Sequence, residues 1–205
     1  YNLDFRVGTE PEMMWLKRGE DGKPDGGFSE PYCYHIDQFE SLRPVFMRVI
    51  EYCHAMGLDM IQGDHEDAPG QLELNWTFDD VVRNADRLST YRQICSQVAR
   101  ENNLIACFMT KPFMGVSASG CHTNISLWRG GEEGVNKLHN DTLPGMEGVF
   151  TYRTGGENTF MPDTDDPQLP GKVGLQCVGG IVKHLGALTA IGCSTVNSYR
   201  RLWDT

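Results

Sequence analysis

Lys111 to Trp128 reads KPFMGVSASGCHTNISLW. A strand ends at Lys111-Pro112, because proline lacks the N–H that would continue a ladder. A loop of small residues follows, and a second strand leaves it carrying His122, Asn124 and Ser126. Side chains alternate along a strand, so these three share a face. A polar face with a histidine, beside a glycine-containing loop, marks a site wall rather than a core strand.

Working outward, LIACFMT (Leu104 to Thr110) predicts the apolar strand that delivers this loop. Before it, Thr77 is the expected cap of a long helix ending at Asn102-Asn103, with Asp79 and Asp80 in the first turn, where the helix dipole favours them. Val81, Val82, Ala85, Leu88, Tyr91, Ile94, Cys95, Val98 and Ala99 form its apolar stripe. LDMIQGDHEDAPGQLELNW (Leu58 to Trp76) predicts a hairpin around Ala68-Pro69-Gly70. Leu72, Leu74 and Trp76 then face one way, and Gln71, Glu73 and Asn75 the other. Glu66 and Glu73 flank the turn. They either meet over a common site or remain two exposed acids.

Asp37 to Gly57 predicts one helix, with Pro44 marking a kink or the true first turn. Leu16 to Glu30 is rich in Lys, Gly, Asp and Pro and predicts a loop. Asn2 to Trp15 predicts a strand broken at Thr9-Glu10-Pro11-Glu12. Glu10 and Glu12 point the same way there, either into a site or off a solvated edge strand. Downstream, Arg129 to Gly171 is long, weakly periodic and loop-like. Val173 to Ile191 predicts a helix whose stripe is Val178, Ile181, Leu185 and Leu188, and TVNSYRRLWDT shows no terminal element. The order is strand, helix, hairpin, helix, strand, loop, strand, helix: an α+β fold, antiparallel strands with helices packed behind.

The 205 residues are 40% hydrophobic and carry a net charge of −10, which argues against nucleic acid as a partner. No apolar run approaches the ~18 residues of a membrane span, and no signal peptide is evident. The seven cysteines lack C-x-x-C spacing, so they predict small buried side chains in a reducing, cytoplasmic setting.

Glu10, Glu12, Glu66, Glu73 and His122 are the candidate ligands. Four carboxylates and one imidazole without thiolates suit Mg²⁺ or Mn²⁺, at two or more sites. A zinc hydrolase would need an N/S-rich triad that is not in evidence. GxxxxGK[ST], GxGxxG and HExxH are absent. From residues alone, the reading is a metal-dependent site suited to phosphoryl chemistry.

Four segments, in order, resemble those of the glutamine synthetase superfamily. KPFMGVSASGCHTNISLW resembles its ATP-binding signature, and GDHEDAPGQLELNW its metal-binding hairpin. GTEPEMMW is similar to its E-P-E-F strand and STVNSYRRL to its P-T-V-N-S-Y-K-R-L segment. The resemblance implies a curved antiparallel sheet backed by helices, a partial catalytic domain over 1–205. The family's N-terminal β-domain and the C-terminal part of the catalytic domain are expected to lie outside these residues. It implies a ring-shaped oligomer, a dodecamer in its fullest form. It also implies ATP-driven activation of the glutamate γ-carboxyl, followed by displacement of phosphate by an amine.

Residue by residue, Glu12, Glu66 and Glu73 match the ligands of one metal, and Glu10 and His122 two ligands of a second. Ser117, Ala118 and Gly120 lie on the glutamate loop, and Arg201 matches an arginine for the substrate carboxylate. Phe78, Asn124 and Ser126 flank the nucleotide. Ser117-Ala118 replaces the usual Asn-Gly, Asn124 replaces a second histidine, and 129–171 is longer than the family leads one to expect. GDHEDAPGQLELNW looks closer to the γ-glutamylamide synthetase branch, which acts on organic amines such as methylamine, isopropylamine or aniline. Ammonia, the acceptor of ordinary glutamine synthetases, is the alternative, and a non-catalytic structural relative the alternative of another class. Tyr32 and Tyr34 lie near the family's amine-site aromatic, or are packing residues.

Overall fold

The structure, a computed structural model, describes residues 2–27, 33–136, 150–163 and 167–203. In chain order its first elements are β1 (Asp4–Arg18), β2 (Pro24–Gly27), α1 (Ile36–Ser41), α2 (Arg43–Ala55), β3 (Met60–His65), β4 (Gln71–Trp76) and β5 (Asp79–Asp80). Then come α3 (Val81–Glu101), β6 (Leu104–Cys107), β7 (Cys121–Arg129), β8 (Glu132–Asn136), β9 (Phe150–Thr154) and β10 (Glu157–Asn158). Helices α4 (Lys172–Lys183), α5 (Leu185–Gly192) and α6 (Val196–Trp203) close the described chain.

β1 organises the sheet. It is one continuous strand, not broken at Thr9-Glu10-Pro11-Glu12, and it is central rather than an edge. It pairs antiparallel with β7 from Asp4 to Pro11, with β4 from Glu12 to Met14, and with β6 from Met14 to Lys17. β5 pairs with it at Arg6 and Val7. Pro11 is tolerated because of where its missing donor falls. The Glu12 N–H turns toward Gly120, so position 11 faces the opposite side. On that side the β5 ladder has ended at Val7 and the β4 ladder begins only at Glu12.

Helices back one face of this α+β sheet. Met13 and Trp15 of β1 and Leu72, Leu74 and Trp76 of β4 pack against Phe46, Val49 and Cys53 of α2 and Tyr91, Cys95 and Val98 of α3, all buried. Trp76 meets Tyr91 at 5.3 Å, and Phe39 stacks on Phe46 at 4.3 Å. The β3–β4 hairpin forms as its spacing predicts, with Asp64 opposite Glu73 and His65 opposite Leu72.

The structure corrects several expectations. Leu42 separates α1 from α2, and Pro44 sits in the first turn of α2, where its missing N–H costs nothing. Asp80, not Thr77, caps α3: its side chain accepts from the Val82 and Arg83 N–H groups. Val81, Val82 and Ala85 are exposed, and the buried face begins instead with Asn84 and Arg87. β6 ends at Cys107, short of Thr110. The predicted loop Leu16–Glu30 gives its first residues to β1 and contains β2. The predicted loop 129–171 contains the β8–β9 hairpin and β10. The predicted helix 173–191 is two helices meeting at a 70° bend, and Val178, Ile181, Leu185 and Leu188 are exposed. TVNSYRRLW forms α6. All seven cysteines are free thiols, but Cys53, Cys95 and Cys107 alone are buried. No single helix among the described residues is long and apolar enough to cross a membrane.

Candidate active site

Strand register assembles the site. Glu10 lies opposite His122, and Glu12 lies opposite Glu73, which in turn lies opposite Asp64. These residues alternate with core residues on their strands, so burying the apolar face presents the acids on the other. Donor atoms of Glu10, Glu73 and His122 all lie within 4.8 Å of one another. His122 Nδ1 is 3.4 Å from Glu10 Oε2 and 3.8 Å from Glu12 Oε1. Glu73 is thus grouped with Glu10 and His122, whereas the resemblance pairs it with Glu12 and Glu66.

The acids crowd one another. Burial pushes Glu66 up to about 7, with Glu12, Glu73 and Asp64 adding repulsion that His122 only partly opposes. Burial also raises Glu73, as do Glu10, Glu12 and Asp64, against a hydrogen bond from Asn75 Nδ2 at 2.8 Å. An oxygen-rich cluster with one imidazole, whose own charges resist ionisation, fits a hard divalent cation. Glu10, Glu73 and His122 are the residues whose donor atoms could hold such a cation.

Gln71 locks this wall to the loop. It is 1% exposed. Its Nε2 donates to Glu12 Oε2 at 3.0 Å, to the Ala118 carbonyl at 3.2 Å and to Ser119 Oγ at 3.1 Å. Its Oε1 accepts from the Ala68 N–H at 2.9 Å. The Gly120 N–H donates to Glu12 Oε2 at 2.9 Å. A Cβ at Gly120 would lie 2.8 Å from Glu12 Oε1 and 3.3 Å from His122 Nε2, so any larger residue there pushes on these two side chains. Ser117 Oγ donates to Asp67, joining the loop to the hairpin turn.

Asn124 Nδ2 donates to Glu10 Oε1 at 2.7 Å, so this residue orients a candidate ligand. Ser126 Oγ accepts from Trp128 Nε1 at 2.8 Å. Phe78 and Trp128 lie nearly parallel, their centroids 6.2 Å apart, and the buried Arg6 guanidinium sits 4.3 Å from the Trp128 ring. Asn124 and Ser126 lie on β7 and Phe78 just before β5, on either side of β1, where a Cβ at Gly8 would lie 3.4 Å from Phe78 and 3.9 Å from Asn124. Arg201 lines a cavity of about 700 Å³ with Glu12, Ser119, Gly120, Arg92 and Asn197. Tyr34 has a φ of +57° and donates its N–H to the His65 carbonyl; Glu66 raises its hydroxyl pKa. Tyr32 lies outside the described residues.

The sequence sets Gln71 only on a polar face, although its period-two spacing from Glu73 is the signal of its role. Nothing in the sequence marks Arg6 beyond its place in the Asn2–Trp15 strand. The Asp79 network was hidden by its assignment to a helix turn. Asp79, fully buried, accepts from the Asp80 and Arg153 N–H groups and pairs with Arg83 and Arg87 at 3.3 and 3.1 Å.

The family described as "Glutamine synthetase, catalytic domain" matches residues 1–156 and 149–205. The chain belongs to that family. A glutamine synthetase of Rhizobium meliloti (strain 1021) is 31% identical over 207 residues, covering 98% of this chain and 41% of that protein. A glutamate–methylamine ligase of Methyloversatilis universalis is 32% identical over 204 residues, covering 97% of this chain and 40% of that protein. A solved structure described as apo GmaS without ligand superposes with a TM-score of 0.76 at 29% identity, over 98% of this chain and 42% of that one. A GmaS/ADP complex superposes with a TM-score of 0.75 at 28% identity, over 97% of this chain and 40% of that one. The chain therefore spans about two fifths of the length of these relatives, and its curled antiparallel sheet is the fold they share.

Proposed function

We propose that the protein is an ATP-dependent ligase joining the γ-carboxyl of L-glutamate to an amine through a γ-glutamyl phosphate. The carrying observation is the register-built cluster of Glu10, Glu73 and His122, fastened through Glu12 and Gln71 to the Ser117–Gly120 loop. Mg²⁺ or Mn²⁺, when bound there, supplies charge neutralisation for the nucleotide phosphates. In this reading Phe78, Asn124 and Ser126 flank the nucleotide; the complex of a structural relative with ADP supports a nucleotide as ligand. Ser117, Ala118 and Gly120 hold glutamate, and Arg201 binds its carboxylate.

The order of steps follows from leaving groups. A carboxylate has no good one. Attack of a γ-carboxyl oxygen on the γ-phosphorus of ATP expels ADP and gives an acyl phosphate. The amine nitrogen then attacks the carbonyl, loses a proton and expels phosphate. Keeping water from the loop side protects the acyl phosphate.

An organic amine is the preferred acceptor, supported by the methylamine ligase and GmaS relatives. Ammonia is the second reading, favoured by relatives named glutamine synthetase. A non-catalytic relative would not keep four mutually repelling carboxylates, Glu10, Glu12, Glu66 and Glu73, together beside His122, because crowded acids without a cation are costly. Family membership supports a ring-shaped oligomer, a dodecamer in its fullest form.

The test is phosphate release from ATP and glutamate with ammonia, methylamine, isopropylamine or aniline, using the protein from its complete reading frame. The proposal expects glutamate-dependent release that an alkylamine stimulates most. A wide margin for ammonia transfers the assignment to the second reading. Release that ignores glutamate removes the substrate assignment.

A further inference from the structure

Ser119 and Gly120, at the end of the Ser117–Gly120 loop, and Arg201 come from opposite ends of the chain's second half, yet line one cavity. One side chain joins their supports. The Lys111 N–H donates to Asn197 Oδ1 at 2.7 Å, and Asn197 Nδ2 donates to the Lys111 carbonyl at 2.7 Å, across 86 residues of sequence. Both faces of a single amide are thus spent on the backbone of a single residue. Asparagine is suited to this because it offers donor and acceptor side by side on a short arm. A carboxylate would set an oxygen against the Lys111 carbonyl, and a hydroxyl would not span both groups.

Each partner in this clamp is itself tied down. Lys111 opens the loop and is buried; its Nζ donates to the Val116 carbonyl at 2.7 Å. The Ser119 N–H closes the loop on the Thr110 carbonyl at 2.8 Å. On the other side, Thr195 caps α6 by accepting from the Ser198 N–H. Asn197 lies in the first turn, and Arg201 is four residues on, hence on the same helix face. Moving Asn197 relative to Lys111 therefore moves Arg201 relative to Gly120.

We propose that Asn197 is a positioning residue for the amino-acid substrate: it sets the span between the Ser117–Gly120 loop and Arg201 without touching the substrate. This rests on the reading above that the loop and Arg201 hold glutamate.

Steady-state kinetics on the protein from its complete reading frame test it, with N197A, N197D, R201A and the double variant N197A/R201A. N197A and N197D raise the KM for glutamate about tenfold to a hundredfold, the effect of a displacement of about 1 Å. The KM for ATP stays within about twofold, because Phe78, Asn124 and Ser126 do not depend on α6. In the R201A background, N197A adds nothing further to the glutamate KM, since a residue acting through Arg201 cannot act without it.

An unchanged glutamate KM in N197A beside a raised one in R201A overturns the positioning role and leaves the functional reading intact. Equal losses for glutamate and ATP, or additive effects in the double variant, also overturn it and make Asn197 a merely structural clamp. An unchanged glutamate KM in R201A overturns the functional reading itself. Should N197A fail to fold, Asn197→Gln keeps both amide groups on a longer arm. It displaces α6 and raises the glutamate KM selectively, and a wild-type KM in that variant overturns the proposal.

Discussion

Replacing Gln71 with leucine keeps the volume of the side chain and removes its amide. Four contacts go: those to Glu12 Oε2, the Ala118 carbonyl, Ser119 Oγ and the Ala68 N–H. A neutral hydrogen bond contributes ~1 kcal/mol net and one to a carboxylate ~1.5–3 kcal/mol. Two N–H groups serve three acceptors on Nε2, so those contacts do not count in full. Leucine also leaves the Ala68 N–H, in a residue with no exposed surface, without its acceptor, at ~1–3 kcal/mol. The expected loss is about 3–5 kcal/mol of unfolding free energy. Urea unfolding of metal-free wild type and Q71L, read by circular dichroism, measures it. A loss under about 1 kcal/mol at an unchanged m-value would refute the role assigned to Gln71. Isothermal titration with Mn²⁺ gives a second readout: Glu12, no longer held, weakens binding about tenfold.

The acid cluster also sets a pH dependence. Glu66 is raised from 4.5 to about 7 in the folded protein, so its proton favours the fold. That stability is fully present below 4.5 and lost as pH rises through 7. Partial exposure of Glu66 reduces the effect to about 1–2 kcal/mol. Urea midpoints of metal-free protein should fall between pH 4.5 and 7.5, and saturating Mn²⁺ should abolish or reverse the slope; a flat metal-free profile contradicts the crowding. Asp79→Asn removes a fully buried charge facing the buried Arg87 and the partly exposed Arg83, and should cost about 3–5 kcal/mol by the same unfolding assay. A wild-type midpoint for D79N would show that this pair is not needed. Gly120→Ala pushes on Glu12 and His122. Its Mn²⁺ affinity should drop about tenfold, with a melting temperature within a few degrees of wild type. Equal losses in both would make Gly120 a folding residue instead.

Much of the wall was legible locally. His122, Asn124 and Ser126 share a face because a strand alternates, and the β3–β4 hairpin followed from one turn between two apolar runs. The pairing of Glu10 with His122 was not legible, because register between strands more than a hundred residues apart leaves no local mark. Pro11 suggested an edge, since a gap between two neighbouring strands reads the same as solvent until both are placed. At the start of α3 the pattern favoured Val81 and Val82, yet Asn84 is buried because Trp76 Nε1 donates to it at 2.7 Å and it donates to Thr9. The stripe of α4 and α5 has helical spacing, but no described residue covers it, and Leu185 is 56% exposed. Spacing shows which face is apolar, not what lies against it.

The central claim is that glutamate is activated as an acyl phosphate. Glutamate labelled with ¹⁸O in the γ-carboxyl, turned over with ATP, Mg²⁺ and methylamine, tests it most directly through mass analysis of the released phosphate. One labelled oxygen is expected in each phosphate, because the attacking carboxyl oxygen leaves with phosphorus. Phosphate free of label, with glutamate amide still formed, would contradict it.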